Sequence, residues 1–369
     1  MIAVAVLFWL ALGLLVWTHV LYPLVIALAA RLRPRPVRAD PDYEPTVAVI
    51  VAAHDEEAVI AARLENLLAL DYPRDRLEIV VASDASSDRT DGIVQEIAGR
   101  EPRVRLLRCP RGGKVAAQNL AVRSTEAEVV AFSDANASWV AEALRRLVAD
   151  LADPQVAYVC GSLRLERADG TNQEGLYWRY DLWQRASESR LGSITGGNGS
   201  IYALRRSEYV EVDPRFGHDL AFPYLMVQRG KRAVFEPAAL ASEKPTPSVE
   251  TEYRRKVRMF EHAWLITLRG SMLRRLPAGY LIEIVSHRLL RYGSGLLHLL
   301  LLGTSIALVP AGRVYQVFLA AQLATLLAAL LRVSIARYYT LVTLATLVSL
   351  WDYLRRGVPA IWEAAEGTR

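Results

Sequence analysis

From Thr46 onward, short apolar runs alternate with segments of helical periodicity, and few folds accept that alternation. The runs 47–51, 77–82, 104–109 and 128–133 are mostly apolar and bounded by polar residues, as expected of strands buried on both faces. Helices are expected between them over 56–70, 88–99 and 115–123, with Ser87 or Asp88 as N-cap of the second. The pattern predicts an α/β domain, a doubly wound sheet of nucleotide-binding type. A helix over 139–151 and a fifth strand over 156–161 complete it. Beyond Gly161 the regularity drops. An aromatic-rich helix is expected over 172–190, a strand over 201–204, a loop then a helix over 213–230, and a last strand over 233–237. No Gly-x-Gly-x-x-Gly follows the first strand, so the dinucleotide fingerprint is absent.

Ligands of such sheets collect at the carboxyl ends of the strands. There the run ending in Ser133 delivers Asp134 and, two residues later, Asn136 into a loop. A hard divalent cation takes oxygen ligands and bridges protein carboxylates to substrate phosphates. Asp134 and Asn136 are therefore candidate ligands for Mg2+ or Mn2+; the competing reading is a turn in which each bonds its own backbone. Cys109 and Cys160 lie in apolar runs without CxxC spacing and read as reduced core thiols.

Hydrophobic residues make up 52% of the 369, which places part of the chain in lipid. Residues 2–30 carry no Lys, Arg, Asp or Glu and are long enough to span a bilayer. Ala27-Leu28-Ala29 resembles a cleavage site, but there is no charged leader and the apolar stretch is too long, so it reads as a retained anchor. Arg31, Arg33, Arg35 and Arg38 follow in a proline-rich join, 31–45, and put that end in the cytoplasm. A sheet domain over 46–250 comes next. An amphipathic interfacial helix over 251–276 has Tyr253, Val257, Phe260, Trp264 and Leu268 at helical spacing among arginines. A membrane region over 277–354 holds apolar segments at 289–309, 314–331 and 338–351, and 355–369 is a tail. With three spans the C-terminus lies outside, whereas Arg355 and Arg356 argue for inside, so one segment is re-entrant or interfacial. The net charge is +5, but only four of the 44 basic residues are Lys. The basic clusters track the membrane segments, and nucleic acid is not an expected partner. Nothing in the sequence specifies an oligomeric state.

With these elements placed, the chain resembles the membrane-bound family-2 glycosyltransferases, the inverting group that includes cellulose, chitin and hyaluronan synthases. Four motifs stand in order on successive strand ends: His54-Asp55-Glu56-Glu57, Ser83-Asp84-Ala85-Ser86-Ser87-Asp88, Gly113-Lys114-Val115-Ala116-Ala117-Gln118-Asn119 and Ser133-Asp134-Ala135-Asn136. The resemblance spans about 46–264 and implies a GT-A-like domain flanked by transmembrane helices. Its donor would be a nucleotide sugar, UDP-linked, and its acceptor a lipid-linked or growing glycan at the cytoplasmic face of a bacterial plasma membrane. It also implies that Asp55, Glu57 and Asp84 hold uracil and ribose. Lys114 and Asn119 would belong to the donor site, and Asp134 with Asn136 would hold the metal that clamps the leaving diphosphate. Asp219, in Gly217-His218-Asp219, takes the place of the general base. His218 replaces the usual Glu and either supports that base or contacts acceptor. Gly197, Asn198 and Gly199 lie in the small-residue loop that lines the acceptor site. The QxxRW motif aligns with Arg255-Lys256-Val257-Arg258-Met259, keeping Arg258 for the diphosphate but lacking the Gln and the Trp.

Two other readings compete. A polyprenyl-phosphate sugar transferase needs no base to deprotonate its acceptor, and Asp219 and Arg258 weigh against it. A catalytically silent membrane scaffold would have no call for Asp84, Asp134 and Asp219 together.

Overall fold

The computed structural model describes residues 1–166, 176–245, 248–269 and 271–359, with the backbone alone at 176, 177 and 249. The chain divides into two compact units. One comprises Met1–Val25, Ser248–Gly270 and Leu281–Val358; the other comprises Ile26–Pro247, Ser271–Tyr280 and Pro359–Arg369.

The first unit is helical. Helix α1, Ile2–Leu32, is long and apolar enough to cross a membrane. In the sheet unit, strand β1 (Val47–Ala53) leads to α2 (Ile60–Leu68), β2 (Leu77–Asp84), α3 (Thr90–Arg100), β3 (Val104–Cys109), α4 (Lys114–Arg123) and β4 (Val129–Asp134). Then come β5 (Ser138–Trp139), α5 (Ala143–Leu151), β6 (Val156–Leu165), α6 (Leu176–Leu191), β7 (Tyr202–Arg205), α7 (His218–Gln228) and β8 (Arg232–Glu243). The first unit resumes with α8 (Val249–Arg269), α9 (Ala278–Tyr292), α10 (Ser294–Ala307), α11 (Arg313–Leu330) and α12 (Ser334–Arg356).

The eight strands run in the order β3-β2-β1-β4-β7-β6-β8-β5. The first four are parallel, as the sequence predicts. The other half corrects the expectation of a uniformly wound sheet: β7 is antiparallel to both β4 and β6, and β5 is antiparallel to β8. The helix expected from residue 139 begins only at Ala143, because Ser138 and Trp139 pair with Ser242 and Ala241 instead. The backbone of Trp139 is clamped on both sides by the Asn66 amide, which donates to its carbonyl and accepts from its N–H, each at 2.9 Å. Two apolar layers cover the sheet. Ile60, Leu64 and Leu67 with Leu144, Leu147 and Val148 pack on one face, and Ala117, Ala121, Phe222 and Met226 on the other. Cys109 and Cys160 are buried and unbridged.

Within the helical unit, α1 meets α10 through Phe8, Ala11, Leu15, Leu301 and Leu308. Thr18 and Trp17, in a π turn, bond the backbone and side chain of Ser286 in a second π turn at 2.6 and 2.9 Å. Among the described residues, α1 and α11 pass for spans by length and composition, and the pair α9 and α10, bent by 64°, makes up to three. The segment expected at 338–351 falls within α12, which does not pass. A helix is observed over Val249–Arg269, where the interfacial helix is expected, and Phe260 and Trp264 turn to Tyr292 within the protein, with ring centroids 5.8 and 6.0 Å away. The 172–175 end of the expected aromatic helix, residue 270 of the interfacial helix and the tail from 360 lie outside the described residues.

Candidate active site

The register of the parallel half sets four chain ends side by side. Asp134 is level with Ala52, and Ser83 with Ala53, so the loops after β1, β2 and β4 open on one edge. Asp55 sits there with φ 53° and Ala85 with φ 55°, left-handed conformations that turn the two loops toward each other. The Asp55 carboxylate accepts from the Ser87 and Asp88 N–H groups at 2.7 and 3.3 Å, and the Ser87 bond foremost holds its pKa below the usual carboxylate range. Glu57 accepts from Arg89 N–H at 3.0 Å. Both sequence-predicted carboxylates thus brace the 86–89 loop.

Asp84, buried to 2%, reaches across to the segment before α4. Its carboxylate accepts from Gly112 N–H at 2.7 Å and Gly113 N–H at 3.0 Å and pairs with Arg111. Gly113 has φ 87°, which favours glycine, and it sets the N-terminus of α4. Lys114, the first residue of that helix, places its ammonium on the Asp134 carboxylate. Burial works to discharge Lys114, but Asp134, then Asp219 and Glu243, outweigh it and hold its pKa above the ordinary lysine value. The charge of Asp219 thus also favours this ammonium.

Asp219 is the second residue of α7, where the helix N-terminus favours a carboxylate. A Cβ on Gly217 would stand 2.6 Å from its Oδ1, so the carboxylate lies close over the helix start. Its carbonyl accepts from Gly197 N–H at 2.7 Å, which ties the small-residue loop to α7. Gly197 leaves no room for a side chain, since a Cβ there would stand 2.2 Å from the Tyr158 hydroxyl, and one on Gly199 would stand 3.3 Å from Lys114 Nζ. The Ser200 hydroxyl donates to the other Asp134 oxygen at 3.4 Å, and Trp139 Nε1 donates to Ser200 O at 3.0 Å.

Three sequence-predicted site residues are turned inward. Asn198 is buried, bonding Gly161 O at 2.6 Å and the Ser200 and Ile201 N–H groups at 3.1 Å. Asn119 bonds Val212 O and the Tyr209 hydroxyl. His218, 4% exposed, lies against the Tyr202 hydroxyl at 2.8 Å. Their side chains make these hydrogen bonds within the protein. Arg258 lies on α8, in the helical unit.

Arg63, Asn66 and Trp139 are site neighbours that sequence reasoning passed over. Arg63 is buried to 2% with its guanidinium 5.0 Å over the Trp139 ring, and it feels the charges of Asp134 and Glu243. In the sequence it is one more arginine on an amphipathic helix.

The donor set fits a shared cation. Asp134 and Asn136 provide one carboxylate and one amide, and no cluster of three His, Cys, Asp or Glu exists among the described residues. Such a set suits an ion that completes its shell with substrate phosphates rather than a cation caged by protein alone.

Residues 48–212 match the family model described as glycosyl transferase family 2. A beta-monoglucosyldiacylglycerol synthase of Synechocystis sp. is 31% identical over 163 residues, 42% of this chain and 33% of that protein. An N-acetylglucosaminyltransferase of Rhizobium meliloti is 25% identical over 233 residues, 58% of this chain and 54% of that protein. The chain thus spans from a third to about half of the curated relatives it matches. The mannosyltransferase PcManGT from Pyrobaculum calidifontis, solved with GDP-Man and Mn2+, superposes with a TM-score of 0.75 at 26% identity, covering 95% of this chain and 99% of that one.

Proposed function

We propose that this chain, whose sheet domain is of the glycosyl transferase family 2 type with a GT-A-like fold, transfers a sugar from a nucleotide-sugar donor to a hydroxyl of a lipid or lipid-linked glycan. The observation that carries this is that the Lys114–Asp134 pair lies beside the 197–199 loop, which the Asp219 carbonyl holds at Gly197 and whose Gly199 approaches Lys114 Nζ. The donor diphosphate lies at Lys114 and the α4 N-terminus, where ammonium and helix dipole both favour negative charge. Asp134, with Asn136, holds Mg2+ or Mn2+, which when bound neutralises charge on the departing diphosphate. Asp219 takes the proton of the acceptor hydroxyl as its oxygen bonds to the anomeric carbon and the diphosphate leaves from the opposite face, inverting that centre. The nucleoside lies along the Asp55–Asp84–Arg111 edge. The Gly197–Gly199 backbone, held by Asp219, forms the floor under the acceptor.

The acceptor class follows the relatives, which include glucosyldiacylglycerol synthases. An apolar span at α1, with Arg31, Arg33, Arg35 and Arg38 after it, supports a sheet domain on the cytoplasmic side of a bacterial plasma membrane. The closer likeness to polymer synthases weakens at Met259, where a flexible thioether replaces their stacking Trp. The product is accordingly one or a few sugars on a lipid, and sizing the product of a labelled donor checks this.

The test is to incubate detergent-solubilised protein with UDP- and GDP-linked sugars, diacylglycerol and glycolipid acceptors, and Mn2+. Release of nucleoside diphosphate that depends on acceptor and stops in EDTA is expected. No release from any donor, or full turnover in EDTA, contradicts the proposal.

A further inference from the structure

His218 sits one residue before Asp219, and its ring bridges two tyrosines. The Tyr202 hydroxyl, from β7, lies 2.8 Å from Nδ1, and the Tyr209 hydroxyl 3.4 Å from Nε2. The proton directions can be worked out from the far end. Asn119 Nδ2 donates to Val212 O at 3.1 Å, so Asn119 Oδ1 is the acceptor for the Tyr209 hydroxyl, which donates to it at 2.6 Å. The Tyr209 oxygen is left to accept the Nε2–H of His218. Nδ1 then carries no proton and accepts from Tyr202. All four side chains run in one direction and end on a backbone carbonyl.

A neutral imidazole fits this chain, whereas a protonated one would set two donors, Nδ1–H and the Tyr202 hydroxyl, against each other. Burial, with Lys114 adding to it, pushes the His218 pKa down to about 3. Rings enclose the site: Phe222 at 4.8 Å and Phe132 at 5.5 Å meet the imidazole edge-on, and Tyr202 stacks on Phe132 at 4.8 Å. Tyr202 is fully buried.

The chain runs from Tyr202 on β7 through His218, the first residue of α7, to Asn119 on α4, five residues after Lys114. Successive helical residues point about 100° apart. Fixing His218 inward therefore fixes the direction of Asp219.

We infer that Tyr202, His218, Tyr209 and Asn119 are positioning residues, a buried one-way hydrogen-bond chain that sets the angle at which Asp219 faces the Lys114–Asp134 pair. The inference rests on Asp219 being the base. The chain touches no substrate. It acts on kcat through Asp219, and the donor side, held by Lys114 and Asp134, is left alone.

The test compares wild type, Tyr202→Phe, Tyr209→Phe and Asp219→Asn, measuring kcat at saturating substrates and Kd for the nucleoside diphosphate with Mn2+. Each Tyr→Phe change keeps the ring and its packing and removes one hydroxyl. A fall in kcat of roughly tenfold or more is expected, since small misplacement of a catalytic group is costly, with Kd held within about twofold. Unchanged kcat in both variants, or kcat and Kd worsening together, overturns the inference. Loss of the fold in both assigns these side chains to packing and overturns it as well. Failure of the underlying reading looks different: Asp219→Asn then keeps wild-type turnover whatever the tyrosine variants do.

Discussion

The ammonium of Lys114 rests on the carboxylate of Asp134, the group that the proposed function assigns to a divalent cation. On that reading, metal and donor arrive by displacing Lys114 from Asp134 toward the diphosphate. Lys114→Met removes that competitor. Mn2+ binding to the nucleotide-free protein, followed by EPR titration, should tighten roughly threefold to tenfold, while donor affinity falls. The pair is partly exposed, and about 1 kcal/mol is the most it contributes. Weaker Mn2+ binding in this variant contradicts the exchange.

His218 makes stability pH-dependent. Its folded pKa, about 3, lies below the ordinary 6.5. Between those values the unfolded chain binds a proton that the folded one excludes, so this contribution is complete above pH 6.5 and is lost as pH falls toward 3. The slope reaches ~1.4 kcal/mol per pH unit at its steepest. Chemical-denaturation midpoints measured from pH 4 to 7 should drop on acidification, and His218→Gln should flatten the drop.

Much of the nucleotide-binding half was legible in the sequence. Four apolar runs with their intervening helices gave the parallel strands, and the residues just past each run, Asp55, Asp84, Lys114 and Asp134, do share one edge. In the other half the strands at 156–161, 201–204 and 233–237 and the helix within 213–230 were legible, but how they pair was not, since the partners are distant in the chain. Trp139 reads as the start of a helix until Asn66, 73 residues earlier, bonds its backbone. Asn119, Asn198 and His218 carry the right residue types for a polar site, yet hydrogen bonding draws their side chains inward. Tyr202 and Tyr209 look like ordinary core aromatics until His218 is found between them.

Asn66→Ala should destabilise the protein by about 2–3 kcal/mol, because it strips two hydrogen bonds from the Trp139 backbone and leaves both groups unmet. Activity should fall further than stability alone explains, since Trp139 also holds Ser200, and Ser200 bonds Asp134. Thermal unfolding and turnover measured on the same sample separate the two effects.

Gly197→Ala meets the Tyr158 hydroxyl at 2.2 Å and should cost about 1–3 kcal/mol by overpacking. Tyr158→Phe removes the obstructing oxygen, so the double variant should recover part of the loss. A double-mutant cycle reads the coupling; strictly additive effects would place the clash elsewhere.

In the proposed reaction Asp219 does the chemistry while Lys114 and Asp134 hold the donor. Asp219→Asn keeps the shape and removes the base. With Mn2+ and an active donor, nucleotide Kd should stay within about twofold of wild type while transfer to the lipid acceptor falls at least about 100-fold. An Asn variant that turns over at the wild-type rate, or that loses donor affinity and keeps its turnover, contradicts the account.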